Sequence, residues 1–163
     1  MAIPVYLWLY DGAGNLIKGS VDIIGREHSI EVIALRHSVE IPTDDNTGKI
    51  TGSRIHQSFS LDKEIDSSSP YIYKALTTGE NLKNAEFKYY RINNAGQEEN
   101  YFTVTLENIK IESNISLMYD IKDSYGENKN HLECIDLGYE KITWHYVDGN
   151  IIHSDSWNYR SVA

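Results

Sequence analysis

Three short constellations in this 163-residue chain have residue types suited to chemistry. His153-Ser154-Asp155-Ser156 offers a base, a hydroxyl and a carboxylate, the parts of a serine hydrolase. Triad members come from separate segments because nucleophile and base must meet in space, whereas adjacent strand residues point to opposite faces. The motif therefore reads as a polar strand end. His131 and Cys134 have HxxC spacing, but zinc needs three or four ligands and no second pair stands nearby in sequence. Asp44, Asp45 and Asn46 ahead of Gly48 resemble the start of a calcium loop, yet the closing bidentate Glu is replaced by Ile55. The expectation is no catalytic residue, no metal, no cofactor and no enzyme.

The elements that would hold such groups are strands. In Tyr139 to Trp157, Ile142, Trp144 and Tyr146 fall on one side of an extended chain and Lys141, Thr143 and His145 on the other. Asp148-Gly149 suits the positive φ of a hairpin turn, and Ile151 to His153 supply the return. Ile3 to Tyr10 reads as a buried strand running into the turn Asp11 to Asn15, and Leu16 to Gly19 returns from it. Ser29 to Ile41 and Ser53 to Lys63 read as two more strands, the second alternating Ile55, Phe59 and Leu61. Between them, Pro42 to Gly52 has too many turn formers for either element and is the longest clear loop.

One helix is expected from Ser69, with Ser69 as cap, Pro70 at the first helical position, Gly79 as the left-handed stop, and Ile72, Ala75 and Leu76 as a narrow apolar stripe. Ala85 to Ile92 pairs with Tyr101 onward through Asn93 to Gly96. Phe102, Val104 and Leu106 are even while Ile109 and Ile111 are odd, which predicts a bulge across Glu107-Asn108 of the kind that curls a sheet toward closure. Asp120 to Asn130 reads as a mobile loop before Leu132 to Leu137 re-enters the sheet.

With 40% hydrophobic and 24% charged residues, 1–163 is expected to form one domain with one core. A net charge of -9 argues against nucleic acid, which is held by clustered cations. No apolar run is long enough for a membrane helix. Cys134 is the only cysteine, so no intrachain disulfide can form. The start Met-Ala-Ile-Pro-Val lacks the features of a secretory leader, so any export is expected by another route. Tyr6, Trp8, Trp144 and Tyr146 are expected in the core, leaving Tyr71, Tyr73, Tyr89, Tyr90 and Tyr159 for a contact surface.

Taken in order, IPVYLWL near the start, IKGSVDI from Ile17, REHSIEV from Arg26, IPTDDNTGKITGSRIH from Ile41, KEIDSSSPYIYKALTTG from Lys63 and the terminal YEKITWHYVDGNIIHSDSW resemble the haemolysin-coregulated proteins (Hcp) of the type VI secretion system, closest to the enterobacterial branch. The resemblance covers nearly the whole chain. It implies a mainly β fold: a small barrel of two packed, antiparallel-rich sheets with one flanking helix. It further implies hexameric rings that stack into a hollow tube, expelled by a contractile sheath with spike and baseplate partners, and effector proteins carried in the lumen. The protein would be cytoplasmic before assembly and extracellular afterwards, and no toxin domain is expected after Ala163. By the same resemblance, Thr43, Asp44, Asp45, Asn46, Thr47, Gly48, Lys49 and Ile50 form the loop that helps rings stack. Gly138 stands where the family has a larger residue, and Asp120 to Asn130 is a variable stretch. The competing expectation is a monomeric carbohydrate- or peptide-binding β-module using exposed tyrosines.

Overall fold

The computed structural model describes residues 2–158. In chain order the strands are β1 (Val5–Tyr10), β2 (Leu16–Ile17), β3 (Ile30–Val32), β4 (Ala34–Arg36), β5 (Val39–Glu40), β6 (Ile55–His56) and β7 (Phe59–Glu64). The helix α1 (Ser69–Thr78) follows, then β8 (Leu82–Ile92), β9 (Glu98–Leu117), β10 (Leu132–Tyr146) and β11 (Ile151–Ser156). The expected mainly β architecture with one helix and two sheets is what the chain adopts. Nine strands make one antiparallel sheet, and β5 and β6 make a separate two-stranded ribbon.

The large sheet runs β2-β1-β8-β9-β10-β7-β4, with β3 on β1 and β11 on β10. Because β3 and β4 are separated only by Ile33, the segment Ile30 to Arg36 joins both ends of this series. Val32 pairs with Val5 of β1, and Ala34 pairs with Asp62 of β7. Ile33 donates its N–H to Asp62 O at 2.9 Å, so hydrogen bonding continues through the corner. The pairings thus run from β1 round to β7 and return through the β3–β4 segment, so that, among the described residues, of the long strands only β11, paired to β10 alone, keeps an open edge. Ser29 to Ile41 is therefore three short strands rather than one, because the chain changes partner at Ile33 and leaves the wall after Arg36.

The parity change in β9 falls at Asn108, which has φ 52, but it is not a one-residue bulge. Glu107 and Ile109 keep matching registers to β8 and β10, and the buried residues skip two positions in all three strands: Leu82 to Ala85, Leu106 to Ile109 and Tyr139 to Ile142. Three strands bend together there, so none needs an extra residue. Register shifts occur instead between Asp136 and Leu137 and between Tyr89 and Tyr90.

Inward-facing residues fill the barrel: Leu7, Leu9, Ile30, Phe59, Leu61, Phe87, Leu106, Ile109, Ile135 and Ile142 are almost fully buried, with Phe59 and Phe87 centroids 4.4 Å apart. Each such side chain contributes about 1.5–3 kcal/mol relative to exposure. Ile72 and Ala75 of α1 add to this core, and Gly79 ends the helix at φ 70 as expected. The start of the helix differs from expectation. Ser68 holds the cap position without a side-chain cap bond, and Ser69 turns inward to a buried ion pair. Lys63 Nζ lies 2.7 Å from Glu133 Oε2, both side chains fully buried, and Ser69 Oγ is 3.1 Å from the amine and 2.9 Å from the same carboxylate. A buried ion pair is tolerable only when its remaining bonding capacity is filled, and this draws Ser69 away from capping.

Candidate functional site

The loop 42–52 grows out of the β5–β6 ribbon. Val39 pairs with His56 and Glu40 with Ile55, then an isolated bridge joins Thr43 to Ile50. Thr51 donates to Pro42 O at 2.9 Å and Asp44 to Lys49 O at 2.8 Å. At the tip, Asp44 Oδ1 accepts the N–H groups of Asn46 at 2.8 Å and Thr47 at 2.9 Å, while Gly48 takes φ 69 and donates to Asp44 O. Those amide bonds hold the Asp44 carboxyl below its ordinary value. The tip is a self-braced hairpin, with Thr47 Oγ1 also accepting the Lys49 N–H, and it presents apolar side chains to solvent: Ile50 is 68% exposed, and Ile41 and Ile55 are also exposed.

A second surface is the outer edge of β11. It pairs only with β10, and among the described residues no strand covers its other side. Val147, Ile151 and Ile152 are exposed beside it. An uncovered edge with apolar flanks is a template for another chain. The expected turn is present but its positive φ values fall on Gly149 and Asn150 rather than on Asp148. By contrast, the lower end of β9 is covered by α1, with Tyr73 Oη 2.6 Å from Ser116 Oγ.

The suspected chemical motifs do not assemble. His153 stacks on Trp144 with rings 8° from parallel, and Ser154 Oγ lies 2.8 Å from Thr143 Oγ1. Asp155 instead meets Arg54 and His56, at 2.8 Å from Arg54 Nη2 and 2.8 Å from His56 Nε2. Arg54 first and His56 second hold its carboxyl down to about 2. Burial and a bond to the Asp62 carboxylate push the Cys134 thiol up to about 11, which keeps it an inert thiol. Among the described residues no group of three His, Cys, Asp or Glu is arranged to hold a metal.

The tyrosines do not form one exposed face either. Tyr6 is buried, Trp8, Trp144 and Tyr146 are half-buried, and Tyr90 is covered by Arg26, whose guanidinium sits 3.8 Å above its ring. Tyr89 packs edge-on against Phe102, and burial raises its hydroxyl to about 12. Tyr71 is exposed, whereas Tyr159 lies outside the described residues. Sequence reasoning missed the Arg54–Asp155–His56 cluster, because Asp155 stands about a hundred positions from Arg54 and His56 and no spacing signals their meeting.

Comparison with known proteins places this geometry. The family described as type VI secretion system effector, Hcp, matches residues 6–146. A curated relative, the major exported protein of Pseudomonas aeruginosa, is 35% identical over 96% of each chain. Among solved structures, the Hcp1 protein from the E. coli EAEC 042 pathovar is 60% identical with a TM-score of 0.87, covering 96% of this chain and 99% of that one. The secreted protein Hcp3 from Pseudomonas aeruginosa is 28% identical with a TM-score of 0.77, covering 97% of this chain and 100% of that one.

Proposed function

The chain belongs to the Hcp family of the type VI secretion system, and from that premise we propose that it works as a ring-forming subunit of the secretion tube. It is a structural, secreted protein rather than an enzyme. Six copies close into a ring, and rings stack into the tube.

The observation that carries this reading is the uncovered edge of β11 with its exposed isoleucines. A ring places two unlike surfaces of each copy against its neighbours, a head-to-tail contact that closes when the rotation fits. Two neighbours at about 800 Å² each per copy would cover a modest share of the 10460 Å² surface, so a chain of this size can supply both.

Thr43 to Ile50 is the stacking loop in this proposal. Its backbone is internally braced, so its exposed side chains are free to engage the next ring without local refolding. Effector proteins occupy the lumen, and the sheath, spike and baseplate engage the assembled tube. The 1–163 chain acts as one domain throughout. The test is electron microscopy of purified rings. Wild-type protein is expected to give short stacks that become single rings when Thr43 to Ile50 is replaced by a short Gly-Ser turn, whereas unchanged stacks would remove the role of the loop.

A further inference from the structure

The ribbon that carries the loop is fastened to the barrel by one chain of side-chain hydrogen bonds. His37, just before β5, places Nε2 2.6 Å from Tyr139 Oη of β10. His56 of β6 places Nδ1 2.8 Å from the same hydroxyl and Nε2 2.8 Å from Asp155 Oδ2 of β11. Arg54, also at the ribbon base, grips Asp155 through Nε and Nη2. Both ends of the ribbon therefore converge on a single buried hydroxyl.

Proton counting limits what this arrangement tolerates. His56 Nε2 faces a carboxylate, so it carries a hydrogen and donates. With His56 neutral, its Nδ1 accepts the Tyr139 O–H, and the Tyr139 oxygen accepts Nε2–H from His37. One additional proton can be housed on either ring, since Tyr139 can reverse its direction of donation. Two additional protons cannot: both rings would then aim N–H groups at one oxygen, the Tyr139 hydrogen would lose its acceptor, and two cations would face each other.

The surroundings of His37 set which ring resists. It stacks on Phe59 of β7 at 5.1 Å and lies 6.4 Å from Trp144 of β10, which is itself stacked with His153. Arg36 and Glu40 flank it on its own segment, and Asp136 of β10 shares the adjoining groove. Asp136 is occupied by Ser60 and Ser113, and Glu112 of β9 by Ser58. Asp155 is held by Arg54 and His56. The nearby carboxylates are thus engaged elsewhere, and burial first, then the charge of His56, keep His37 below its ordinary value.

We propose that His37, Tyr139, His56 and Asp155 form an acid-released latch at the base of the ribbon, closed at neutral pH and opened when both imidazoles are protonated. The closed form binds fewer protons than the open form, so latching is complete above the ordinary histidine value of 6.5 and is lost as pH falls below it. Resting on the reading of Thr43 to Ile50 as the stacking loop, the consequence is that stacks come apart in acid while the barrel stays folded.

Amide hydrogen exchange between pH 7 and 5, corrected for intrinsic rates, tests the latch directly. The Gln57 N–H, bonded to Ser38 O at 3.0 Å, and the amides of Glu40 and Ile55, the next hydrogen-bonded pair of the ribbon, should lose at least fivefold in protection relative to Leu106 in the core. His37→Phe, which keeps a ring against Phe59 and cannot be protonated, should make ribbon protection independent of pH. Tyr139→Phe should loosen the ribbon already at pH 7. Constant ribbon protection in the wild type, or a pH dependence that survives His37→Phe, would overturn the latch. A ribbon that loosens in acid beneath stacks that persist supports the latch and overturns the role of the loop in stacking.

Discussion

At the scale of single residues, charge is managed by burial in pairs. Lys63 and Glu133 are both fully buried and 2.7 Å apart, so removing one leaves the other uncompensated in the core. Lys63→Met should cost about 3–5 kcal/mol in urea unfolding, and adding Glu133→Leu should recover a large part of it. A single variant as stable as wild type would contradict this. Asp155 gives a pH signature. Its carboxyl is held down to about 2 by Arg54 and then His56, so the stability it adds is present above the ordinary value of 3.8 and lost as pH falls toward 2. Asp155→Asn should therefore lower the melting temperature at pH 7, with the gap to wild type narrowing as pH drops from 4 to 2; a gap that stays constant would contradict the assignment. Cys134, pushed up to about 11, should react with a thiol reagent at pH 8 roughly a hundredfold more slowly than a free cysteine, because the thiolate is the reactive form.

At the scale of elements, the stop of α1 is a direct test. Gly79 at φ 70 sits in open space, so Gly79→Ala meets no clash and its cost is conformational, about 1 kcal/mol in chemical denaturation. This feature was legible in the sequence, as were the end of β10 from its alternation, β11 as the return from the Asp148-Gly149 turn and the 42–52 loop from its turn formers, because each is set by neighbours along the chain. The cap was misread at Ser69 since the hydroxyl answers to Lys63 and Glu133, the latter 64 positions away. The break at Ile33 was hidden for a related reason: a run rich in Ile and Val does not reveal that its first half pairs with β1 and its second with β7. Asp155 does have a histidine partner, but it is His56, 99 positions away, rather than the neighbouring His153. Gly138, where a larger residue was expected, leaves room for Glu112, whose carboxylate a Cβ would meet at 2.5 Å.

At the scale of the whole molecule, the circuit of strands leaves the β11 edge and the loop-bearing ribbon exposed, and these are the surfaces through which copies are proposed to meet. Each copy carries -9, so rings repel at low ionic strength, and a Debye length of about 8 Å at physiological salt removes much of that cost. Stacks should lengthen between 20 and 300 mM NaCl in light scattering, and stacks that shorten would mean that attraction between opposite charges holds the rings. The ring itself is the central claim, and native mass spectrometry at micromolar concentration tests it most directly. A particle six times the 18.6 kDa chain mass is the predicted result, and an 18.6 kDa monomer at every concentration would contradict it.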